Sequence, residues 1–254
     1  MAEPFVIPST ARAEDGAFLA MADVAELAAS TRTEYRIIGA HMVSVHTARH
    51  RLDLPLRQTG DADVGLQAKV LAASGLVEAL IDRGYEQEGG NRFVRKVDGS
   101  DLAIDLLVPA HTSRIRHNRP VGDLFVDEVP GLSYALARDP LISPLRVRLT
   151  SSKYVDMAPH FPDAVAALCL KVLAFGSRRE KRDALDVWRM LEVVNADGVT
   201  AADWPDRATP RQAAERMRSD FLPANGMGVK AATDQPPQQA RVRALVARVV
   251  GVPD

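Results

Sequence analysis

The stretch Arg57-Gln58-Thr59-Gly60-Asp61-Ala62-Asp63 runs straight into the apolar-polar run Val64-Gly65-Leu66-Gln67. Along a strand, residues i and i+2 share a face, so Asp61 and Asp63 point the same way, close together. Carboxylates that near to one another repel and call for something positive between them. A hard cation such as Mg²⁺ meets that need, because it accepts oxygen ligands and leaves room for waters and phosphate oxygens. An Asp-rich turn at Gly60 explains the same residues without a metal, and short motifs recur by chance. The surrounding chain has to choose between the two.

Upstream, residues 1–14 read as a loose arm, and Phe18, Met21, Val24 and Leu27 then repeat at helical spacing to make a first helix. Residues 35–40 (YRIIGA) form a short β-rich run closed by Gly39, and 41–50 (HMVSVHTARH) a further helix. Downstream, 68–84 (AKVLAASGLVEALIDRG) reads as one amphipathic helix ending at Gly84. The runs RFVRKV (92–97) and LAIDLLVP (102–109) are strands joined by the turn signal Asp98-Gly99-Ser100. Further strands are expected at DLFVDEV (123–129) and LRVRLTSS (145–152).

From Pro162 the pattern turns helical. FPDAVAALCLKVLAFGSR, KRDALDVWRMLEVV, ATPRQAAERMRSDFL and QQARVRALVARVV read as four helices, with PANGMGVKAATDQPPQ as a linker between the last two. The expected architecture is α+β: an α/β module over 1–155 and a helical module over 156–254.

The chain has 254 residues, 46% apolar and 26% charged, enough for one large or two modest domains. Residues 1–110 carry 11 basic and 16 acidic side chains (net -5), and 111–254 carry 21 and 17 (net +4), so the second half suits a polyanion. Of the 32 basic residues 26 are arginine, clustered at 114–119, at Arg146 and Arg148 and at 178–182. Arginine binds phosphate bidentately, although a GC-rich genome also raises its usage. The lone Cys169 lies in an apolar run and reads as core. No signal-peptide layout and no apolar run near the ~20 residues of a membrane span are visible, so a cytoplasmic protein without membrane contact is expected. His41, His46 and His50 do not share one helical face, which argues against zinc.

Three further features join the acidic pair. Asp105 interrupts an apolar strand, where an ionised carboxylate is expensive unless it meets a cation or faces a cleft; a solvent-facing edge strand is the plainer alternative. Lys171 interrupts the run AALCLKVLAF, so it either snorkels from the core or reaches into a cleft. Asp183 and Asp186 stand at i and i+3 on the next helix among Arg178, Arg179, Lys181 and Arg182, a charge run that also reads as a solvated face.

The order Gly39-Ala40, His46, Arg57-x-Thr59-x-Asp61-x-Asp63, Asp105, Lys171-Val-Leu-Ala, Arg178 and Arg182-Asp183-x-x-Asp186 resembles the AbiEii/AbiGii-type nucleotidyltransferase toxins of the DNA polymerase β-like superfamily, over about residues 35–192. The superfamily often has Gly-Ser or Gly-Gly in its first turn. This chain has Gly39-Ala40-His41, leaving Thr59 to stand in for the missing serine hydroxyl. The resemblance implies a nucleotidyltransferase-type mixed sheet with flanking helices and a helical lobe closing over the nucleotide. Asp61 and Asp63 would hold Mg²⁺ (or Mn²⁺) on the triphosphate, with Asp105 as candidate third ligand and base-side partner. Lys171 would bind phosphate or protonate the leaving pyrophosphate, and Asp186 would orient Lys171 or the nucleotide. Gly39, Arg57, Thr59, Arg178 and Arg182 would contact the nucleotide. The implied partners are an NTP, an RNA acceptor such as the tRNA 3′ end, and a cognate antitoxin protein.

Rival readings remain open at this level. Asp-x-Asp also marks sugar-nucleotide glycosyltransferases, which need more alternating strands and helices before the motif and leave Lys171 and Asp186 unexplained. A nucleotidyltransferase acting on a small molecule such as an antibiotic, or an inactive RNA- or protein-binding module, fits the same residues.

Overall fold

The computed structural model describes residues 5–54 and 58–252. Along the chain these form β1 (Phe5–Pro8), α1 (Arg12–Thr31), β2 (Arg36–Ile37), α2 (Gly39–Arg49), β3 (Asp61–Gly65), α3 (Ala68–Leu71), α4 (Leu76–Asp82), β4 (Glu86–Gln87), β5 (Arg92–Val97) and β6 (Ser100–Pro109). Then follow β7 (Arg116–Val121), β8 (Leu124–Val129), α5 (Leu132–Leu136), β9 (Leu141–Ile142), β10 (Leu145–Arg148), β11 (Tyr154–Met157) and β12 (His160–Phe161). The last stretch is α6 (Ala164–Arg178), α7 (Lys181–Ala196), α8 (Ala208–Asp220), α9 (Met227–Ala232) and α10 (Pro236–Val250). The protein is therefore α+β, with a mixed sheet and a helical C-terminal part.

The main sheet runs β2-β3-β6-β5-β4, with β8 continuing along the far half of β6 and β7 on the outside of β8. β3 and β6 are parallel, and their register sets Asp63 beside Asp105. The alternation in β3 is what the quoted stretch demands: Ala62 and Val64 are fully buried while Asp61 and Asp63 stay partly open on the other face. The β5–β6 hairpin closes through Asp98 and Gly99, both at positive φ (50° and 75°), the conformation a two-residue turn needs. Because β6 has β3 on one side and β5 and β8 on the other, Asp105 sits on a central strand; the edge-strand alternative is wrong.

The structure corrects four expectations. The opening arm is anchored: β1 pairs in parallel with β10 and buries Ile7, because that strand offers Leu145 and Val147 as partners. The helix expected over 68–84 is broken into α3 and α4 at Ser74-Gly75, where Gly75 turns left-handed (φ 71°) and the Ser74 hydroxyl accepts the Leu76 N–H. β7 was not anticipated, since RHNRPV lacks the apolar alternation of a strand; it forms by hairpin pairing to β8. The linker at 223–238 contains α9, which folds because Val229 finds core partners and Gly228 lets the helix press on the Phe221 ring.

The boundary expected at 155/156 falls inside β11, and the continuous helical part starts at Ala164. One apolar cluster runs from Phe18 and Met42 through Leu106 to Leu168, Val187 and Val246, joining sheet and helices. Among the described residues no helix is long and apolar enough to cross a membrane.

Candidate active site

A cleft of about 380 Å³ opens between the exposed face of the sheet, the start of α2 and one side of α6. The sheet wall contributes Asp63, Arg92, Asp105 and Asp127, and α6 contributes Lys171 and Arg178 from across the gap. The cleft therefore has an acidic wall and a basic wall. Between them, Met42, Leu107, Ile115, Val129, Leu170 and Ala174 line an apolar part.

Gly39 shows why the sequence folds as it does at the first turn of α2. It has φ +70°, and a Cβ built on it would lie 1.8 Å from Asp63 Oδ2. Only glycine allows the carboxylate to sit against the helix start, with Ile38 N–H donating to the Asp63 carbonyl at 2.9 Å.

A positive side chain stands among these acids. Arg92 Nη1 donates to both oxygens of Asp105 (3.1 and 2.9 Å) and stands 3.7 Å from Asp61 Oδ2. Asp61 also accepts the Thr59 hydroxyl at 2.6 Å. Burial, with Asp61 and Asp127 adding to it, pushes the Asp105 carboxyl above its ordinary range, although Arg92 works the other way. Arg92 is a site residue that the motif analysis missed. The signal was there: counting back from the two-residue turn, Val97 faces Ser100 and Arg92 faces Asp105.

On the basic wall, α6 and α7 form an antiparallel hairpin through the left-handed Arg179 (φ 60°). The tight connection sets Lys171 opposite Asp186. Their Nζ–Oδ2 distance is 2.9 Å, and Asp186 Oδ1 takes Arg189 Nη1 at 2.7 Å. Asp186 is fully buried behind Lys171 and does not line the cleft, so it orients the lysine and does not reach a ligand. Lys171 and Arg189 both pair with Asp186, and Lys171 lines the cavity.

Arg178 is held by a bidentate pair to Asp183 (2.9 and 2.7 Å). Burial opposes its charge, but Asp183, with Glu180 and Asp63, holds the guanidinium above its usual value. Asp183 and Asp186 are both fully buried, which overturns the solvated-face reading of this charge run. Arg182 does not join them: it pairs with Glu180 at the surface, outside the cleft lining. As the first residues of α7, Arg182 and Asp183 point to different sides, so only one can face α6.

The remaining predicted positions are readily placed. Thr59 turns its hydroxyl to Asp61 and, like Asp61, lies outside the cleft lining. Asp61 reaches the cleft edge through Arg92. Arg57 lies outside the described residues. His46 is buried, donates Nε2–H to the Pro162 carbonyl at 2.9 Å, and is driven down to about 4 by burial. Burial raises the Cys169 thiol well above its ordinary value, as for a core cysteine.

Asp61, Asp63 and Asp105 offer hard carboxylate oxygens, the donor type Mg²⁺ takes. Among the described residues no three His, Cys, Asp or Glu side chains are close enough together to enclose a metal by themselves. A Mg²⁺ that arrives with a triphosphate needs only one or two protein carboxylates, because phosphate and water supply the rest. Asp63 and Asp105, register partners that both line the cleft, fit that requirement.

No protein-family model matches the chain, and no curated protein matches it.

Proposed function

We propose that the protein is a Mg²⁺-dependent nucleotidyltransferase that moves a nucleoside monophosphate from an NTP to an RNA acceptor and releases pyrophosphate. The observation that carries this reading is the facing of two opposite walls across one cleft: Asp63 and Asp105 on the sheet, Lys171 and Arg178 on α6. A metal triphosphate is cationic on one side and anionic on the other, which matches the two walls.

Asp63 and Asp105, with Asp61 at the edge, would hold the metal, which when bound neutralises phosphate charge and polarises the reacting phosphate. Lys171, aimed by Asp186, binds a phosphate oxygen on the leaving side. Arg178, fixed by Asp183, clamps the same group bidentately. The apolar part between the walls suits the flat face of a nucleobase. The motif resemblance to AbiEii/AbiGii-type toxins supports the same chemistry and extends it to the tRNA 3′ end as acceptor, a growth-arresting role and a neutralising antitoxin. The exposed Arg114 and Arg116 beside the cleft suit a polyanionic acceptor.

Total RNA, Mg²⁺ and each labelled NTP in turn provide the test. Asp63→Asn should abolish labelling while circular dichroism and melting stay unchanged. Labelling at the wild-type rate by that variant, or none by the wild type with any NTP, sinks the proposal.

A further inference from the structure

The acidic wall holds a pair of groups that the scheme above does not use. β7 and β8 close through the two-residue turn Gly122-Asp123, with Val121 opposite Leu124. A bulge then interrupts the register between Arg116 and Arg119, and Asn118 adopts a left-handed φ of 61°. The bulge turns His117 toward Asp127 on the neighbouring strand: Nδ1 lies 2.8 Å from Asp127 Oδ2, while Asn118 N–H points at the other oxygen at 3.4 Å. Both His117 and Asp127 line the cleft. Ile115 N–H donates to the Ser177 hydroxyl at 3.0 Å, which ties the start of β7 to the last turn of α6 and fixes the imidazole opposite the basic wall.

A carboxylate can only accept, so Nδ1 carries the proton of the neutral ring and Nε2 is left with its lone pair. The His117 side chain is 67% exposed, at the mouth of the cleft where an acceptor would enter. A histidine oriented by a carboxylate, open at its second nitrogen and sharing a cleft with Lys171 and Arg178, has the arrangement of a general base.

We infer that His117 takes the proton from the attacking hydroxyl of the acceptor, with Asp127 as its positioning residue. The inference rests on the nucleotidyl-transfer reading. In the step, the acceptor O–H bond breaks and its proton moves to His117 Nε2. The oxygen bonds to the α-phosphorus, the bond from that phosphorus to the α,β-bridging oxygen breaks, and its electron pair leaves with pyrophosphate. The imidazolium returns its proton to solvent. The charged groups around the His117–Asp127 dyad are Glu128 on β8, Asp105 on β6, Asp63 on β3, Arg116 and Arg119 on β7, His111 and Arg114 in the preceding loop, Arg92 on β5, and Lys171 and Arg178 on α6.

The test measures labelled-nucleotide transfer against pH for wild type, His117→Ala, His117→Gln and Asp127→Asn, with NTP binding measured separately. His117→Ala should lose about 100-fold or more in kcat, lose the acid limb of the pH profile, bind NTP as before, and recover with added imidazole. His117→Gln keeps a donor for Asp127 but cannot take a proton, so it should stay as slow as the alanine variant. Asp127→Asn should slow transfer, because the imidazole loses the carboxylate that fixes its tautomer and orientation. A wild-type rate in His117→Ala, or restoration by glutamine, means that His117 only braces the hairpin. A wild type that transfers nothing removes the nucleotidyl-transfer reading and this inference together.

Discussion

Replacing Arg92 with alanine should make the protein bind a divalent cation more tightly. A cation that takes the oxygens of Asp105 must first displace the guanidinium, which holds both of them at 3.1 and 2.9 Å and stands 3.7 Å from Asp61. A hydrogen bond to a charged group is worth about 1.5–3 kcal/mol when buried, and an exposed ion pair about 0.2–1 kcal/mol. Arg92 is 40% exposed and Asp105 19%, which places the pair near the top of the exposed range, at about 1 kcal/mol. Direct repulsion between the two cations is larger at contact, but the long side chain swings aside and relieves it. The expected gain is roughly fivefold in Kd.

An opposing effect sets the conditions. Without Arg92 the remaining influences on Asp105, burial first and then Asp61 and Asp127, all raise its pKa, so protons compete harder with the metal. The gain should be full at pH 8 and shrink as pH falls. Mn²⁺ titration followed by electron paramagnetic resonance, without nucleotide, would compare wild type, Arg92→Ala and Arg92→Lys, with the lysine variant in between. Equal or weaker Mn²⁺ binding by Arg92→Ala at pH 8 would refute the argument that Arg92 stands in the cation's place.

Two other perturbations test the frame of the site. Asp186→Ala leaves Lys171 and Arg189 buried without the acid they share, which should cost about 3–5 kcal/mol and lower the melting temperature by roughly 10 °C, whereas Lys171→Met, which leaves Asp186 paired with Arg189, should melt closer to wild type and bind NTP more weakly. His46 has a folded pKa of about 4 against an unfolded value near 6.5, so stability present above pH 6.5 should fall as pH drops toward 4, by roughly 2 kcal/mol at pH 5. Chemical denaturation at pH 7 and pH 5 should show that loss in the wild type and a smaller one in His46→Gln, which keeps a donor for the Pro162 carbonyl.

Much of the site was legible in local pattern. The i, i+2 spacing of Asp61 and Asp63 sets their common face whatever lies around them, because a strand alternates. The apolar surroundings of Asp105 and Lys171 marked both as side chains with a reason to be buried, and the turn at Asp98-Gly99 fixes the β5–β6 partners by counting. Tertiary structure alone decided which of these groups meet. Asp63 and Asp105 are 42 residues apart and become neighbours only through the parallel pairing of β3 with β6, which no local propensity encodes. Whether Asp183 and Asp186 faced water or the core depended on how α7 packs against α6, since a helix bearing charges at i and i+3 is stable in either setting. β1 and α9 are short segments with little stability of their own, and they fold because β10 and Phe221 are there to be covered. The same holds for His117, an ordinary surface residue in sequence, whose bond to Asp127 exists only because a bulge in a weak edge strand turns it into the cleft.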